Sequence, residues 1–127
     1  MLYGALLSGC GGIGVAYQKI LIGPYALMAV DEMQQMSLDK LDSHGNGTGI
    51  VTQTVFGAGW TNDWIIVEQH PGQFGRPLDK NKTNFYIFRV SDGVLKGPFT
   101  KEEFEKARSA LGVPGELAFT LVFDELK

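Results

Sequence analysis

Leu6-Leu7-Ser8-Gly9-Cys10-Gly11-Gly12-Ile13-Gly14 supports two incompatible readings, and the fold class hangs on the choice. Gly9, Gly11 and Gly14 match G-x-G-x-x-G, the turn on which a parallel strand–helix–strand unit holds a pyrophosphate. Leu7-Ser8-Gly9-Cys10 matches instead the lipobox, the cleavage and acylation signal of bacterial lipoproteins. The first reading demands a doubly wound parallel sheet. The second demands a tether, followed by a body whose class the rest of the chain must decide.

Working outward, the pyrophosphate reading needs a helix after Gly14 and an acid about twenty residues on to hold a ribose. Asp31, at the end of an apolar run, supplies the acid. The helix has no room. It would have to fit before Gly23-Pro24, in a segment holding Val15, Tyr17, Ile20 and Ile22, residues that favour strands. Further on, strands and helices never alternate as a doubly wound sheet requires. The lipobox reading fits at every position from Leu7 to Cys10, and the glycines after Cys10 suit a flexible tether. It departs in one respect: the nine residues before Cys10 carry no Lys or Arg, where a signal peptide has a basic opening and a longer apolar core. A chain begun at an internal methionine would account for that. The third reading is a buried N-terminal strand with Cys10 as a small core hydrophobe. The expected division is a signal remnant and tether over 1–16 and a single β-rich domain over 17–127.

The bulk numbers bound the rest. A length of 127 residues suits one core, and 44% hydrophobic with 20% charged residues marks a folded chain. Net charge is −3 and the cations are scattered, so the basic stripe that nucleic acid requires is missing. One cysteine excludes an internal disulfide, and with two histidines it makes no zinc cluster. Apolar runs are all broken short of the ~18–20 residues that cross a bilayer. No cofactor is expected.

Short strands are predicted at Gln18 to Ile22 and Tyr25 to Val30, divided by Gly23-Pro24. Met33 to Leu41 reads as a half-exposed strand, and Ser43 to Gly49 as a flexible loop. Ile50 to Phe56 alternates β-branched residues as one strand, with a turn over Gly57 to Asp63 and a buried strand over Trp64 to Val67. Pro71 to Lys82 is expected as a long loop. Phe85 to Val90 is strongly β-prone, and Ser91-Asp92-Gly93 turns it back into Val94-Leu95. One helix follows. Thr100 and Glu103 form a capping box, Phe99 and Phe104 a hydrophobic staple, and Phe104, Ala107 and Leu111 one apolar face. Gly112 stops it in the left-handed region, with Pro114 beyond. Leu117 to Phe123 is a last strand. The class is α+β: mainly antiparallel sheet of about six short strands, with one helix near residues 100–111.

Phe85-Tyr86-Ile87-Phe88-Arg89-Val90, then Gly97-Pro98-Phe99-Thr100-Lys101-Glu102-Glu103-Phe104, then Leu111-Gly112-Val113-Pro114 resembles a family of short bacterial lipoproteins of unknown function. Tyr25-Ala26-Leu27 with Asp31, and Trp64-Ile65-Ile66-Val67, look like its earlier strands, so the resemblance runs from about Gly23 to Leu121. It implies a lipid-anchored, β-rich envelope domain facing the periplasm or cell exterior. Its motifs are turns, a cap and strands, and it supplies no catalytic residue.

Candidate sites are few. Asp31 and Glu32 are neighbours, and neighbours on a strand point to opposite faces, which does not suit paired acid–base work. Glu68 and His70 share a face if their strand continues, where a carboxylate could orient an imidazole; no nucleophile completes a triad. Trp60 and Trp64 flank Asn62-Asp63 and are read first as core anchors. The alternative is a recognition surface formed by Trp60, Trp64, His44 and His70. Asn46-Gly47-Thr48 and Asn81-Lys82-Thr83 are glycosylation sequons without weight in a bacterium. The expected function is protein binding without catalysis, in the manner of an immunity protein or inhibitor. Partners would be the membrane, through acylated Cys10, and an envelope protein. A purely structural envelope domain and, further off, a nucleotide-binding enzyme are the alternatives.

Overall fold

The computed structural model describes residues 15–72 and 75–127; Cys10 and the glycines at 9, 11 and 14 lie outside them. Strand formation starts where the β-branched and aromatic residues begin. β1 (Tyr17–Ile22) and β2 (Tyr25–Ala29) pair antiparallel across Gly23-Pro24, with Ile22 opposite Tyr25. The helix that a pyrophosphate turn requires after Gly14 is therefore β1. The pairings among the described residues are all antiparallel, so Asp31, exposed just past β2, has no parallel unit around it.

A short 3-10 turn (Met33–Gln35) interrupts the expected Met33 to Leu41 strand, which becomes β3 (Ser37–Leu41). The turn after β3 is ordered by Asp42, whose Oδ1 accepts from the backbone N–H groups of His44 (2.8 Å) and Asn46 (2.9 Å). These bonds, that of Asn46 first, hold the Asp42 carboxyl below its ordinary value. The loop expected up to Gly49 thus ends early, and β4 (Gly47–Val51) completes a four-stranded sheet in the order β1-β2-β3-β4.

The run Ile50 to Phe56 is two strands, not one. At Thr52 to Thr54 the chain leaves the first sheet: Thr54 exchanges backbone bonds with His70, and the Val55 N–H donates to the Met36 carbonyl. Alternation survives the crossing because Val51 and Val55 both face the core that the two sheets share. β5 (Val55–Trp60) then runs through Gly57 and Gly59, expected as a turn. These glycines mark close approach. A Cβ at Gly59 would overlap the Ala118 carbonyl oxygen, and one at Gly57 would overlap the Glu68 carboxyl group.

β6 (Trp64–Gln69), β7 (Asn84–Arg89) and β8 (Val94–Phe99) follow as hairpin neighbours. β9 (Leu121–Val122) pairs with β5 and shortens the expected last strand to two residues. The second sheet has the order β8-β7-β6-β5-β9, so the described residues hold nine strands where about six were expected. The excess comes from the split run and from short hairpins.

The helix α1 (Lys101–Leu111) forms as its sequence dictates. Thr100 Oγ1 accepts from the Glu103 N–H at 3.2 Å, and Glu103 Oε1 accepts from the Thr100 N–H at 2.8 Å. Gly112, at φ 80°, ends it. The layers are therefore sheet, sheet, helix. One core lies between the sheets, where Tyr25 meets Phe88 edge-on at 4.9 Å and Tyr17 meets Phe123 at 5.0 Å. A second lies between the five-stranded sheet and α1, built on Trp64, Ile66, Phe85, Ile87, Phe104, Val113 and Leu117. Arg108 closes it by donating to the Pro114 (2.7 Å) and Leu117 (2.6 Å) carbonyls.

Candidate functional site

The second core is open at one end. Because β6, β7 and β8 are in register, Trp64, Arg89 and Val94 form one row across three strands. Ile87 and Lys96 belong to the next row. Side chains two apart on a strand share a face, so Ile87 and Arg89, like Val94 and Lys96, stand on the helix side. α1 stops short of covering these rows. Leu111, its last residue, forms a wall instead of continuing the apolar face of Phe104 and Ala107 into the core. The result is a cleft of about 260 Å³ lined by Trp64, Ile87, Arg89, Asp92, Val94, Lys96 and Leu111.

Its chemistry is mixed. The Trp64 ring is nearly buried, and the Arg89 guanidinium lies 5.5 Å from its centroid, a cation–π geometry. Val94 and Leu111 are 42% and 37% exposed, two of the five large apolar side chains that stand exposed among the described residues. Asp92 is already engaged, its Oδ1 accepting from the Val94 N–H at 3.1 Å within the hairpin turn. Among the described residues the ion pair within 4.0 Å is Arg108 with Glu105, so neither Arg89 nor Lys96 has a carboxylate that close. The cleft is smaller than the roughly 300–1,000 Å³ of pockets that enclose a whole small molecule. It accommodates a side chain or two, not a dinucleotide.

The residues singled out from sequence are dispersed. Trp60 is half-buried and packs on the inter-sheet core, on the opposite face of the sheet from Trp64. His44 is exposed in the β3–β4 turn. His70 is 3% exposed just past the far end of β6, about 20 Å along the strand from Trp64 at the usual rise per residue. Its ring stacks on Phe56 at 4.2 Å, and its Nδ1 hydrogen-bonds the Lys82 carbonyl at 2.8 Å. A carbonyl only accepts, so Nδ1 carries the proton; Nε2 is buried without a partner among the described residues. The partner that orients the imidazole is thus the loop backbone, not Glu68. Glu68 is half-buried, and desolvation raises its carboxyl above the ordinary value against the weaker pull of Lys127 and Lys101. Asp31 and Glu32 are exposed neighbours. Among the described residues no group of three His, Cys, Asp or Glu could hold a metal, and no helix is long and apolar enough to cross a membrane.

Arg89, Val94 and Lys96 are not marked as site residues by the sequence, and Leu111, expected on the apolar helix face, is instead 37% exposed. A signal was present in Ile87-x-Arg89 and Val94-x-Lys96, apolar and cationic residues two apart in paired strands. Recognising it required the register across β7 and β8.

The model of a family described as a protein of unknown function (DUF3997) matches residues 22–126. No curated protein and no solved structure matches the chain. The family match takes in eight of the nine strands in full, the helix and every residue lining the cleft, and on that coverage the chain belongs to this family, DUF3997.

Proposed function

We propose that this protein is a small lipid-anchored domain of the bacterial cell envelope that acts by binding another protein and carries out no reaction of its own. The observation that carries the binding role is the cleft, where exposed Val94 and Leu111 line one hollow with a buried tryptophan, two cations and Asp92. Tryptophan and arginine side chains set among apolar ones are what protein interfaces concentrate at their centres. The anchor is supported by Leu7-Ser8-Gly9-Cys10 and by its position: few residues, mostly glycine and small ones, separate Cys10 from β1. A tether of that length holds the body close to the membrane surface.

Metabolic labelling of cells with an alkyne fatty acid tests the anchor. The full chain with its natural upstream sequence is expected in the membrane fraction, with label that Cys10→Ser removes. Unlabelled protein in the soluble fraction would refute it. For the binding role, a stoichiometric envelope protein is expected to co-purify from detergent-solubilised membranes. Val94→Asp with Leu111→Asp should release it while the melting temperature holds. Retention of the partner by that variant would move the contact elsewhere.

A further inference from the structure

From where the tether ends and where the exposed apolar side chains lie, we infer that the outer face of the four-stranded sheet is a membrane seat. It rests on the lipid surface that holds Cys10 and turns the cleft away from that surface. The inference rests on the acylation of Cys10 proposed above and adds which face of the body the lipid covers. Strand register defines the face. Leu27, Leu38 and Val51 point into the inter-sheet core, so Ile20, Ala26 and Asp39 form one row on the opposite side, and Gln18, Met28 and Ser37 the next. Val30, two residues past Met28, shares a shallow hollow there with Ser37 and Asp39. Of the five large apolar side chains exposed among the described residues, three gather at this hairpin: Val15 (53%), Ile20 (57%) and Val30 (42%). Val15 is held beside Val30 because the next residue, Ala16, donates its N–H to the Ala29 (2.8 Å) and Val30 (2.9 Å) carbonyls. The other two, Val94 and Leu111, line the cleft on the helix side of the second sheet.

The tether decides between these two sides. Cys10 stands five residues before Val15, a reach of at most about 18 Å at ~3.6 Å per residue. At roughly 10 Å per layer, α1 lies about 20 Å beyond the outer sheet. Seated on its helix face, the body would hold Val15 too far above the lipid for Cys10 to enter it. Seated on the outer sheet, it brings Ile20, Met28 and Val30 to the headgroup boundary with Val15 at the same level. Charge names the kind of surface. β1 and β2 bring no charge to this face, and Asp39, on β3, accepts from Ser37 Oγ at 2.6 Å. Exposed Asp31 and Glu32 follow Val30, and the chain carries a net −3, so anionic headgroups are repelled. The fitting occupant is a zwitterionic lipid surface, entered by apolar side chains.

The test uses the full chain, acylated in cells and reconstituted into phosphatidylcholine vesicles. Cys10 is the sole cysteine, so once it is acylated an introduced cysteine is the free thiol for a nitroxide label. Labels are placed through Gln18→Cys on the seat and Lys106→Cys on the exposed side of α1. The label at 18 is expected to be about fivefold less accessible to a water-soluble nickel chelate than the label at 106, at every protein-to-lipid ratio. Ile20→Asp with Val30→Asp should abolish that difference while the protein stays acylated, on the vesicles and unchanged in Tm. Adding phosphatidylglycerol should not increase the protection, and salt should not remove it. Equal accessibility of the two labels in protein that stays on the vesicles would overturn the seat and leave the anchor standing. Stronger protection at 106, or protection gained only with anionic lipid, would overturn it too. Protection lost on dilution in lipid would give the face to a second copy of the chain. Unacylated protein in the soluble fraction would remove anchor and seat together.

Discussion

Single residues in this protein are held by what their neighbours exclude. Gly59 is the clearest case, since the backbone at Ala118, in the segment leading into β9, crosses where a side chain would stand. Gly59→Ala should push that segment off the sheet and cost about 1–3 kcal/mol, a fall in Tm of roughly 4–12 °C. Thermal unfolding checks it, and an unchanged Tm would show that the C-terminal segment is not packed there. Glu68 is held differently. Burial raises its carboxyl above the ordinary 4.5, so above the folded-state value the ionised form is carried at a cost that the unfolded chain escapes. As pH falls through that value towards 4.5, the folded state takes up the proton first and stability rises. Glu68→Gln should therefore raise Tm at pH 7, with the gain shrinking to nothing below pH 4.5. A gain that persists at low pH would assign the effect to packing. Neither constraint is legible from sequence alone: Gly59 looks like a turn glycine, and Glu68 like a carboxylate placed to orient His70.

At the scale of elements, legibility follows whether the signal is local. α1 is written entirely in adjacent residues, from the Thr100–Glu103 box to the Gly112 stop, and it forms as read. Thr100→Ala should cost about 1 kcal/mol, a fall in Tm of roughly 4 °C. Glu103→Ala added to it should cost less than its effect alone, because the two side chains cap reciprocally. Full additivity, measured by a double-mutant cycle in denaturant, would mean the box contributes nothing as a unit. Strands gave a mixed result because their boundaries depend on partners. β6 and β7 were read from their apolar runs. The split of Ile50 to Phe56 was invisible, since Val51 and Val55 keep the same alternation while belonging to different sheets. The cleft failed for the same reason. Each of its strands displays an apolar–cationic pair, but the row Trp64–Arg89–Val94 exists only once β6, β7 and β8 are in register.

For the whole molecule, the order of layers decides where stability is concentrated. The five-stranded sheet is covered on both faces, by the four-stranded sheet on one side and by α1 with its C-terminal extension on the other. The four-stranded sheet is covered on one face, and Gln18 and Ile20 stand exposed on the other. Composition foretold enough apolar residues for a core but could not divide them in two, because Ile65 and Ile66 are adjacent and serve different cores. Opening β6 exposes both cores at once, whereas opening β1 exposes part of one. Amide exchange should therefore be slowest at Ile65, Ile66, Val67, Ile87 and Phe88, approaching the global unfolding free energy there. β1 and the free side of β8 should exchange faster, through local opening. Exchange in β1 as slow as in β6 would contradict this layer order, because β1 borders one core only.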